Sequence, residues 1–449
     1  MAEKILIITY DMIPYSGAWG GAQRMYFLAE HLFKNGYDVT VISAKKDFNG
    51  YFGKKINFNT IYLESNLINM AYKLFRSNKN EKMKINNGSV SKRSTNNFKK
   101  VIENNIKKML MFYNNINLNE PSSTQGILGL IWLSGNKNKI LDFINKNKIN
   151  KVIISGPPFS LFKLTSYIKK MNKNIKVILD YRDPWNLWNM KKGKPFKKEQ
   201  KFLKEADYIV GFSELFCQDM VKIFPFIGDK ITTVMNGYSS EEWSDVEKET
   251  KENKNKNKLI ISYVGTISFN KDNKHNKYSA TDPYPLLSAF TDFDNKNNVE
   301  LRFVGINKLT KDIEEIKKNY KNVNFFYQVS HKDSLNEMKN SDVLILIYNS
   351  KANSSRYMIT GKFFDYLKSG KLLLGIGNEE TYFNKLIENY KLGLIANNDE
   401  KEIEKALNTI YSFWKEGRLN ELRKDENLEI EEFSRESQND KYLTILEKF

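Results

Sequence analysis

The chain has 449 residues, and because single domains usually span about 100 to 200 residues, this length predicts two domains. The 41% of residues that are apolar suffice to fill a hydrophobic core in each. A single cysteine, Cys217, excludes an internal disulfide framework, and three histidines are too few for a histidine-rich metal site. The net charge of +18 comes from the first half of the chain: residues 1–236 hold 38 Lys and Arg against 18 Asp and Glu, whereas the rest hold 33 against 35. Such an asymmetry indicates an anionic partner for the first half, either phospholipid, a lipid phosphate or nucleic acid, with lysine-rich compositional drift as the alternative.

The N-terminal sequence predicts a strand, a helix and a second strand. The apolar run EKILIITY lacks the basic lead and the cleavage site of a signal peptide, so we interpret it as a strand at 4–10. A glycine-bearing loop with Gly20 and Gly21 follows, then a helix at 23–35 with one apolar face, a stop at Gly36 and a strand at 38–43. This pattern is typical of the βαβ unit of a doubly wound sheet.

The same alternation returns after residue 150. Apolar runs predict strands in NKVIISG, KVILDYRD, DYIVGFS and ITTVM, and helices are predicted before Lys170 and at 199–206. Strands that alternate with helices indicate a parallel sheet, so residues 1–240 are predicted to form a first Rossmann-like domain. No run reaches the ~18 apolar residues that a membrane-spanning helix requires.

A basic insertion interrupts this first domain at about 45–135. Residues 76–97 lack apolar periodicity and predict a loop, whereas FKKVIENNIKKMLMFYNNI, residues 98–116, predicts a basic amphipathic helix. Packing of its apolar face against the sheet and binding of that face to an anionic bilayer remain alternative interpretations.

A charged, low-complexity segment separates a second alternating region from the first. Residues 241–258, ending in KENKNKNK, predict a linker. Residues 259–430 then predict a second Rossmann-like domain, and residues 431–449 a helix that crosses back to the first domain. Two doubly wound α/β domains place the carboxyl ends of both sheets on a shared cleft, where such folds bind ligands.

One helix of the second domain has the features of a phosphate-binding site. In ITGKFFDYLKSGK, Lys362 and Asp365 share one face near the helix start, where unpaired N–H groups favour phosphate. Asp365 offers an acceptor-only carboxylate for ribose hydroxyls, and Thr360 and Gly361 allow close backbone approach. The alternative interpretation is a surface ion pair worth ~0.2 to 0.5 kcal/mol.

Three stretches carry a family resemblance. SSRYMITGKFFDYLKSGK resembles the nucleotide-sugar half of GT-B glycosyltransferases, particularly the retaining family four, and GGAQRMYFLAEHLFKNGYDVTVIS is similar to the first unit of the same family. VILDYRDPW after SGPPFS resembles a bacterial branch that makes surface polysaccharides. The matches are spread over most of the chain and leave residues 45–125 uncovered.

The resemblance implies a set of donor-binding residues. It puts the acidic ribose ligand on Asp365, where the family usually has glutamate, and Tyr357 stands where a second glutamate is common. Diphosphate contacts are implied for the turn after the first strand of the second domain and for the glycine pair of the first domain. The implied residues are Gly265, Thr266, Gly20 and Gly21, with Lys271, Lys274 or Arg356 as the basic partner.

We assign the reaction centre to DYRDPW. Asp180, Arg182 and Asp183 are predicted at the carboxyl end of a strand, with Asp183 positioning the acceptor hydroxyl and Arg182 meeting leaving-group or lipid-phosphate charge. The alternative is an Arg–Asp pair that stabilises the loop. We expect no metal and no cofactor, because a helix terminus and basic groups can neutralise a diphosphate.

These features predict a glycosyltransferase that moves a sugar from a nucleoside diphosphate to a lipid-linked or growing saccharide, on the cytoplasmic face of the inner membrane. The alternatives are a nucleotide-sugar 2-epimerase of the same fold, which requires more acid–base groups, and a degenerate partner subunit. Nucleic-acid binding is disfavoured because none of the usual recognition modules is present.

Overall fold

The computed structural model describes residues 2–449 except 17–18, 47–54, 65–104, 106–107, 121, 190–191, 250–256, 268, 270–280, 308, 349–355, 358, 379 and 427. The chain divides into two compact units. The first unit contains Met1–Val234 and Asn439–Phe449, and the second contains Met235–Gln438. The predicted loop at 76–97 lies outside the described residues, and so do residues 98–104, 106 and 107 of the predicted amphipathic helix.

The described part of the first unit holds a seven-stranded parallel sheet in the order β3-β2-β1-β4-β5-β6-β7. Its strands are β1 (Lys4–Ile8), β2 (Asp38–Ala44), β3 (Asn59–Leu63), β4 (Lys151–Gly156), β5 (Lys176–Tyr181), β6 (Tyr208–Gly211) and β7 (Ile231–Thr233). Apolar side chains fill both faces of the central strands, as parallel sheets require. The strand order reverses between β1 and β4, which is where doubly wound sheets bind ligands.

The helices of the first unit cover this sheet. They are α1 (Trp19–Lys34), α2 (Ser123–Lys146), α3 (Lys163–Met171), α4 (Lys194–Glu205) and α5 (Glu214–Ile223). A helical run at 108–113 leads into a π-helical turn, Asn114–Leu118, and 3-10 turns occupy Phe159–Phe162, Asn186–Trp188 and Pro225–Lys230. None of the helices in the described ranges is long and apolar enough to cross a membrane.

The described part of the second unit holds a six-stranded parallel sheet in the order β10-β9-β8-β11-β12-β13. Its strands are β8 (Leu259–Val264), β9 (Val299–Ile306), β10 (Val323–Tyr327), β11 (Val343–Ile347), β12 (Leu372–Ile376) and β13 (Gly393–Ala396). Its helices are α6 (Ser240–Glu249), α7 (Tyr284–Asp292), α8 (Lys311–Asn319), α9 (His331–Asn340), α10 (Gly361–Lys368), α11 (Tyr382–Asn389) and α12 (Glu400–Lys415). The last helix, α13 (Arg435–Glu447), contains the second boundary between the units.

The prediction of two doubly wound α/β domains is confirmed. Helix α6 occupies part of the segment for which the sequence predicts a linker, because its Trp243 and Val246 are buried in the second unit. The chain passes between the units at Val234 and again at Gln438.

Candidate functional site

A cluster of charged side chains lies where β1, β2 and β5 end in the first unit. Arg182, which follows β5, donates from Nη1 to the Gly21 carbonyl in the first turn of α1 and from Nη2 to the Pro157 carbonyl. Its Nη2 also lies 3.7 Å from the carboxylate of Asp11, which follows β1. The structure therefore brings together two predicted residues, Arg182 and Gly21. Gly20 lies beside Gly21 in the same turn of α1.

Asp11 is the centre of this cluster, and the sequence does not single it out. It accepts a hydrogen bond from Lys46 after β2 and another from Gln125 Nε2 at the start of α2, at 3.1 Å. Burial alone would raise the pKa of Asp11, but the charges of Lys46 and Arg182 outweigh burial and lower its pKa. The one available signal was its position after an apolar strand, where doubly wound sheets bind ligands.

Asp183 differs from its neighbours in having a half-buried carboxylate without a hydrogen-bond partner among the described residues. Burial raises the pKa of Asp183 to about 6, although the charge of Arg182 lowers it. A carboxylate with this pKa is ionised at neutral pH and keeps free acceptor capacity for a hydroxyl group.

The prediction that Asp180 faces the ligand site is wrong. Asp180 lies within β5, is 0% exposed, and accepts hydrogen bonds from Arg24 Nη2 at 2.8 Å, from Ser155 Oγ at 2.9 Å and from the Tyr442 hydroxyl. Arg24 also donates to the Val234 carbonyl at 2.8 Å. This group ties α1, β4, β5 and α13 together, so Asp180 has a structural role and no surface for a substrate.

Lys362 and Gly265 lie together in the second unit, at the end of β8 and the start of α10. Lys362 Nζ donates to the Tyr263 hydroxyl at 2.7 Å and lies 4.1 Å from the centre of the Tyr263 ring. Gly265 has a φ of 140°, and a Cβ built on it would lie 2.5 Å from Lys362 Nζ. The positive φ favours glycine at this position, and a Cβ here would displace the Lys362 amine. Among the described residues Lys362 has no carboxylate partner.

The backbone around Lys362 leaves hydrogen-bond donors at the start of α10. Thr360 is the N-cap residue with extended φ and ψ, and its side chain forms no capping hydrogen bond. Gly361 begins the helix and is half-buried. Thr266, exposed after β8, accepts from the Tyr263 hydroxyl through its carbonyl at 3.3 Å. The predicted residues Thr266, Thr360 and Gly361 thus adjoin the Lys362–Gly265 pair along the chain.

Asp365 lies one turn further along α10, in a buried charged group. It is 6% exposed and accepts a hydrogen bond from Trp243 Nε1 at 3.2 Å. Burial raises the pKa of Asp365, although the nearby charges of His331 and Arg435 lower it. His331 lies 3.2 Å from Glu242. The sequence gives no sign of this group, because its members come from α6, α9, α10 and α13. The ribose role of Asp365 stays a prediction.

The other predicted donor residues have different contacts or lie outside the described residues. Arg356 pairs with Glu380 at 2.9 Å and lies over the ring of Tyr357, which is 4% exposed. Lys271 and Lys274 lie outside the described residues. Within the described ranges no group of three or more His, Cys, Asp or Glu side chains could hold a metal ion.

Solved structures with a similar fold cover nearly all of the chain. Sucrose-phosphate synthase from Thermosynechococcus elongatus has a TM-score of 0.62 at 13% identity, over 99% of this chain and 98% of that one. The chain has the GT-B fold. A glycosyltransferase from Rickettsia africae ESF-5 matches at 0.58 and 15% identity, over 100% and 98%. A trehalose-6-phosphate protein from E. coli, bound with UDP-2-fluoro glucose, matches at 0.61 and 11%, over 100% and 99%. No family model and no curated protein matches the sequence.

Proposed function

We propose that the protein is a retaining, family-four-like glycosyltransferase, of hexosyltransferase type, that uses a nucleoside-diphosphate sugar as donor. The observation that carries this proposal is the Lys362–Gly265 pair. A lysine that has no carboxylate partner among the described residues, beside a glycine and at the start of a helix, is suited to a diphosphate. The GT-B neighbours add to this, since one of them is bound with UDP-2-fluoro glucose.

In this proposal, residues of the first unit bind the acceptor. Asp183 orients the acceptor hydroxyl, which it can do because its carboxylate is ionised at neutral pH and has no other partner among the described residues. The acceptor oxygen forms a bond to the anomeric carbon as the bond from that carbon to the diphosphate breaks. The leaving nucleoside diphosphate takes the bonding electrons, and one of its phosphate oxygens takes the hydroxyl proton. No metal ion is required in this scheme, because Lys362 and the start of α10 supply the positive charge.

The acceptor is proposed to be lipid-linked or a growing saccharide, used on the cytoplasmic face of the inner membrane to build a surface polysaccharide or glycolipid. The run at 108–118 supports this, because it exposes apolar side chains: Met109 at 63%, Phe112 at 67%, and also Met111, Tyr113 and Ile116. Lys198 donates to the Asn117 carbonyl at 3.0 Å. Burial lowers the pKa of Lys198, and the charges of Lys163 and Lys194 lower it further. Apolar side chains beside clustered lysines are typical of surfaces that bind anionic bilayers.

Vesicle flotation tests the membrane part of the proposal. The protein should float with vesicles that contain phosphatidylglycerol and not with pure phosphatidylcholine, and Phe112→Ser should weaken flotation. Phe326→Ser is the matched control, because Phe326 is 42% exposed in the second unit. Equal flotation with both vesicles, or an equal effect of the two variants, would contradict the proposal.

A panel of nucleotide sugars tests the reaction itself. The purified protein should release nucleoside diphosphate from one donor, slowly with water and faster with a lipid-linked or saccharide acceptor, and the Asp183→Asn variant should lose the acceptor-dependent part. Conversion of the donor to its C2 epimer would instead identify an epimerase. Tight binding of a nucleoside diphosphate without any turnover would identify a degenerate binding subunit.

A further inference from the structure

Residues 114–120 are held against the loop that carries Asp183, in a part of the chain to which the family resemblance does not extend. Trp185 Nε1 donates to the Leu118 carbonyl at 2.7 Å, and Trp188 Nε1 donates to the Asn119 carbonyl at 3.1 Å. Both tryptophans belong to the stretch after Asp183. The segment includes a π-helical turn, a geometry that is frequent at functional sites.

Asparagine side chains fix the end of this segment. Asn119 has a left-handed backbone with a φ of 51°, and its side chain bonds Asn186 at 2.9 Å and Asn189 at 2.8 Å and 3.1 Å. Asn114 accepts from the Glu120 N–H at 3.1 Å and donates to the Glu120 carbonyl at 3.0 Å. Both backbone polar groups of Glu120 are therefore bonded to one side chain, which sets the direction of the Glu120 side chain.

The Glu120 carboxyl group is buried and only half satisfied. The residue is 2% exposed, and its Oε1 accepts from the Ser160 N–H at 2.9 Å. Oε2 is buried and has no hydrogen-bond partner among the described residues, and the same holds for the Ser160 hydroxyl. Helix α2 packs so closely here that a Cβ on Gly126 would overlap Glu120 Cγ. An ionised carboxylate is energetically unfavourable when one of its oxygens is buried without a hydrogen bond, so burial favours the protonated form of Glu120.

We propose that Glu120 is a positioning residue for Asp183: it keeps a proton beside Asp183, so that the two carboxyl groups carry a single negative charge while Asp183 holds the acceptor hydroxyl. This inference rests on the proposed function for the acceptor. It adds to the site a residue that makes no contact with the reacting atoms and acts through the charge of its neighbour.

Titration of the two groups defines a pH window. Burial raises the pKa of Glu120 to about 8, and the negative charge of Asp183 adds to that rise. The pKa of Asp183 is raised to about 6. Arg182 faces Asp183 as the opposing positive charge and is itself shared with Asp11, and Glu120 receives the N–H groups of Phe159 and Ser160. Between about pH 6 and 8 the pair therefore holds one proton.

The test compares the pH profile of kcat/KM in the wild type and in Glu120→Gln. Wild-type kcat/KM should fall by about tenfold per pH unit above about pH 8, because a second negative charge then forms beside Asp183. The Glu120→Gln variant should not show this decrease at alkaline pH, but its kcat/KM should still decrease below about pH 6. The control is Glu199→Gln, because burial also raises the pKa of Glu199, to about 7, and its carboxylate accepts hydrogen bonds from Tyr181 and Asn186. A decrease at alkaline pH that survives Glu120→Gln, or one that disappears in Glu199→Gln, would overturn the proposal.

Infrared spectroscopy gives a readout that needs no activity. In the Glu199→Gln background, the carboxylic-acid C=O band of Glu120 should persist at neutral pH and vanish near pH 8, and adding Asp183→Asn should lower the pH at which it vanishes. Absence of the band at neutral pH, or no shift with Asp183→Asn, would refute the pairing even in a protein without transferase activity. An inactive protein that shows the band and the shift would refute the transferase proposal alone.

Discussion

Replacement of Asp180 by asparagine should destabilise the first unit strongly. The side chain of Arg24 is 5% exposed, and Asp180 is its carboxylate partner, with Ser155 and Tyr442 completing the group. Asp180→Asn removes the carboxylate that pairs with this buried guanidinium, and breaking such a pair costs about 3–5 kcal/mol. With a urea m-value of about 3 kcal/mol/M for a unit of this size, the unfolding midpoint should fall by at least about 1 M.

Urea denaturation followed by tryptophan fluorescence measures this effect, since Trp132 and Trp185 are buried in the first unit. Asp183→Asn is the matched control, with the same chemical change three positions further along the chain. It should be neutral or slightly stabilising at pH 7.5, because a carboxyl group whose folded pKa is raised is less stable as an anion than in the unfolded chain. A midpoint for Asp180→Asn that moves by less than about 0.3 M, or no further than that of Asp183→Asn, would refute the structural role of the pair.

Two further predictions concern the second unit. Burial opposes the charged form of His331, but the Glu242 carboxylate, 3.2 Å from its Nε2, and the charge of Asp365 outweigh burial and raise its pKa above 6.5. The charged His331 therefore stabilises the folded state fully below pH 6.5, and this stabilisation is lost as pH rises through the raised pKa. The wild-type Tm should decline over that pH range. A decline of equal size in His331→Gln would contradict this assignment. Asp365→Ala should weaken binding of UDP or GDP by more than ~1 kcal/mol in titration calorimetry if Asp365 holds the ribose. Trp243→Phe is the control: it removes the indole hydrogen bond to Asp365 but keeps the carboxylate, so it tests whether support of α10 alone affects nucleotide affinity. Unchanged affinity in Asp365→Ala would refute the ribose contact.

Hydrophobic periodicity predicts most of the sheet-forming strands, because parallel strands buried on both faces read as apolar runs. Strand β3 was missed, since it lies at the edge of the sheet and most of its residues are only half-buried. Helix α2 was also missed. It contains Gly126 and Gly129, which disfavour a helix locally, but a Cβ at either position would overlap Glu120 or Pro158. Tertiary packing therefore selects this helix against its intrinsic propensity.

Two of the glycines that the sequence assigns to the donor phosphates lie next to charged side chains in the structure, and their role in binding stays a prediction. Gly21 adjoins Arg182, and Gly265 adjoins Lys362, because both pairs lie at the carboxyl ends of parallel strands. The role of Asp180 could not be predicted. Its partners Arg24 and Tyr442 lie 156 and 262 positions away, and a strand buried on both faces gives no alternation from which to infer which side chains reach the surface.

Titration calorimetry with nucleoside diphosphates tests the central claim, that the start of α10 binds the donor diphosphate. The wild type should bind one of UDP, GDP or ADP, and Lys362→Met should bind it at least about tenfold more weakly, since a charge-assisted hydrogen bond to phosphate contributes about 1.5–3 kcal/mol. Lys385→Met is the control, because Lys385 is a surface lysine that pairs with Glu380 in the same unit. A Lys362→Met variant that binds as tightly as the wild type, or a wild type that binds none of the three nucleotides, would contradict the claim.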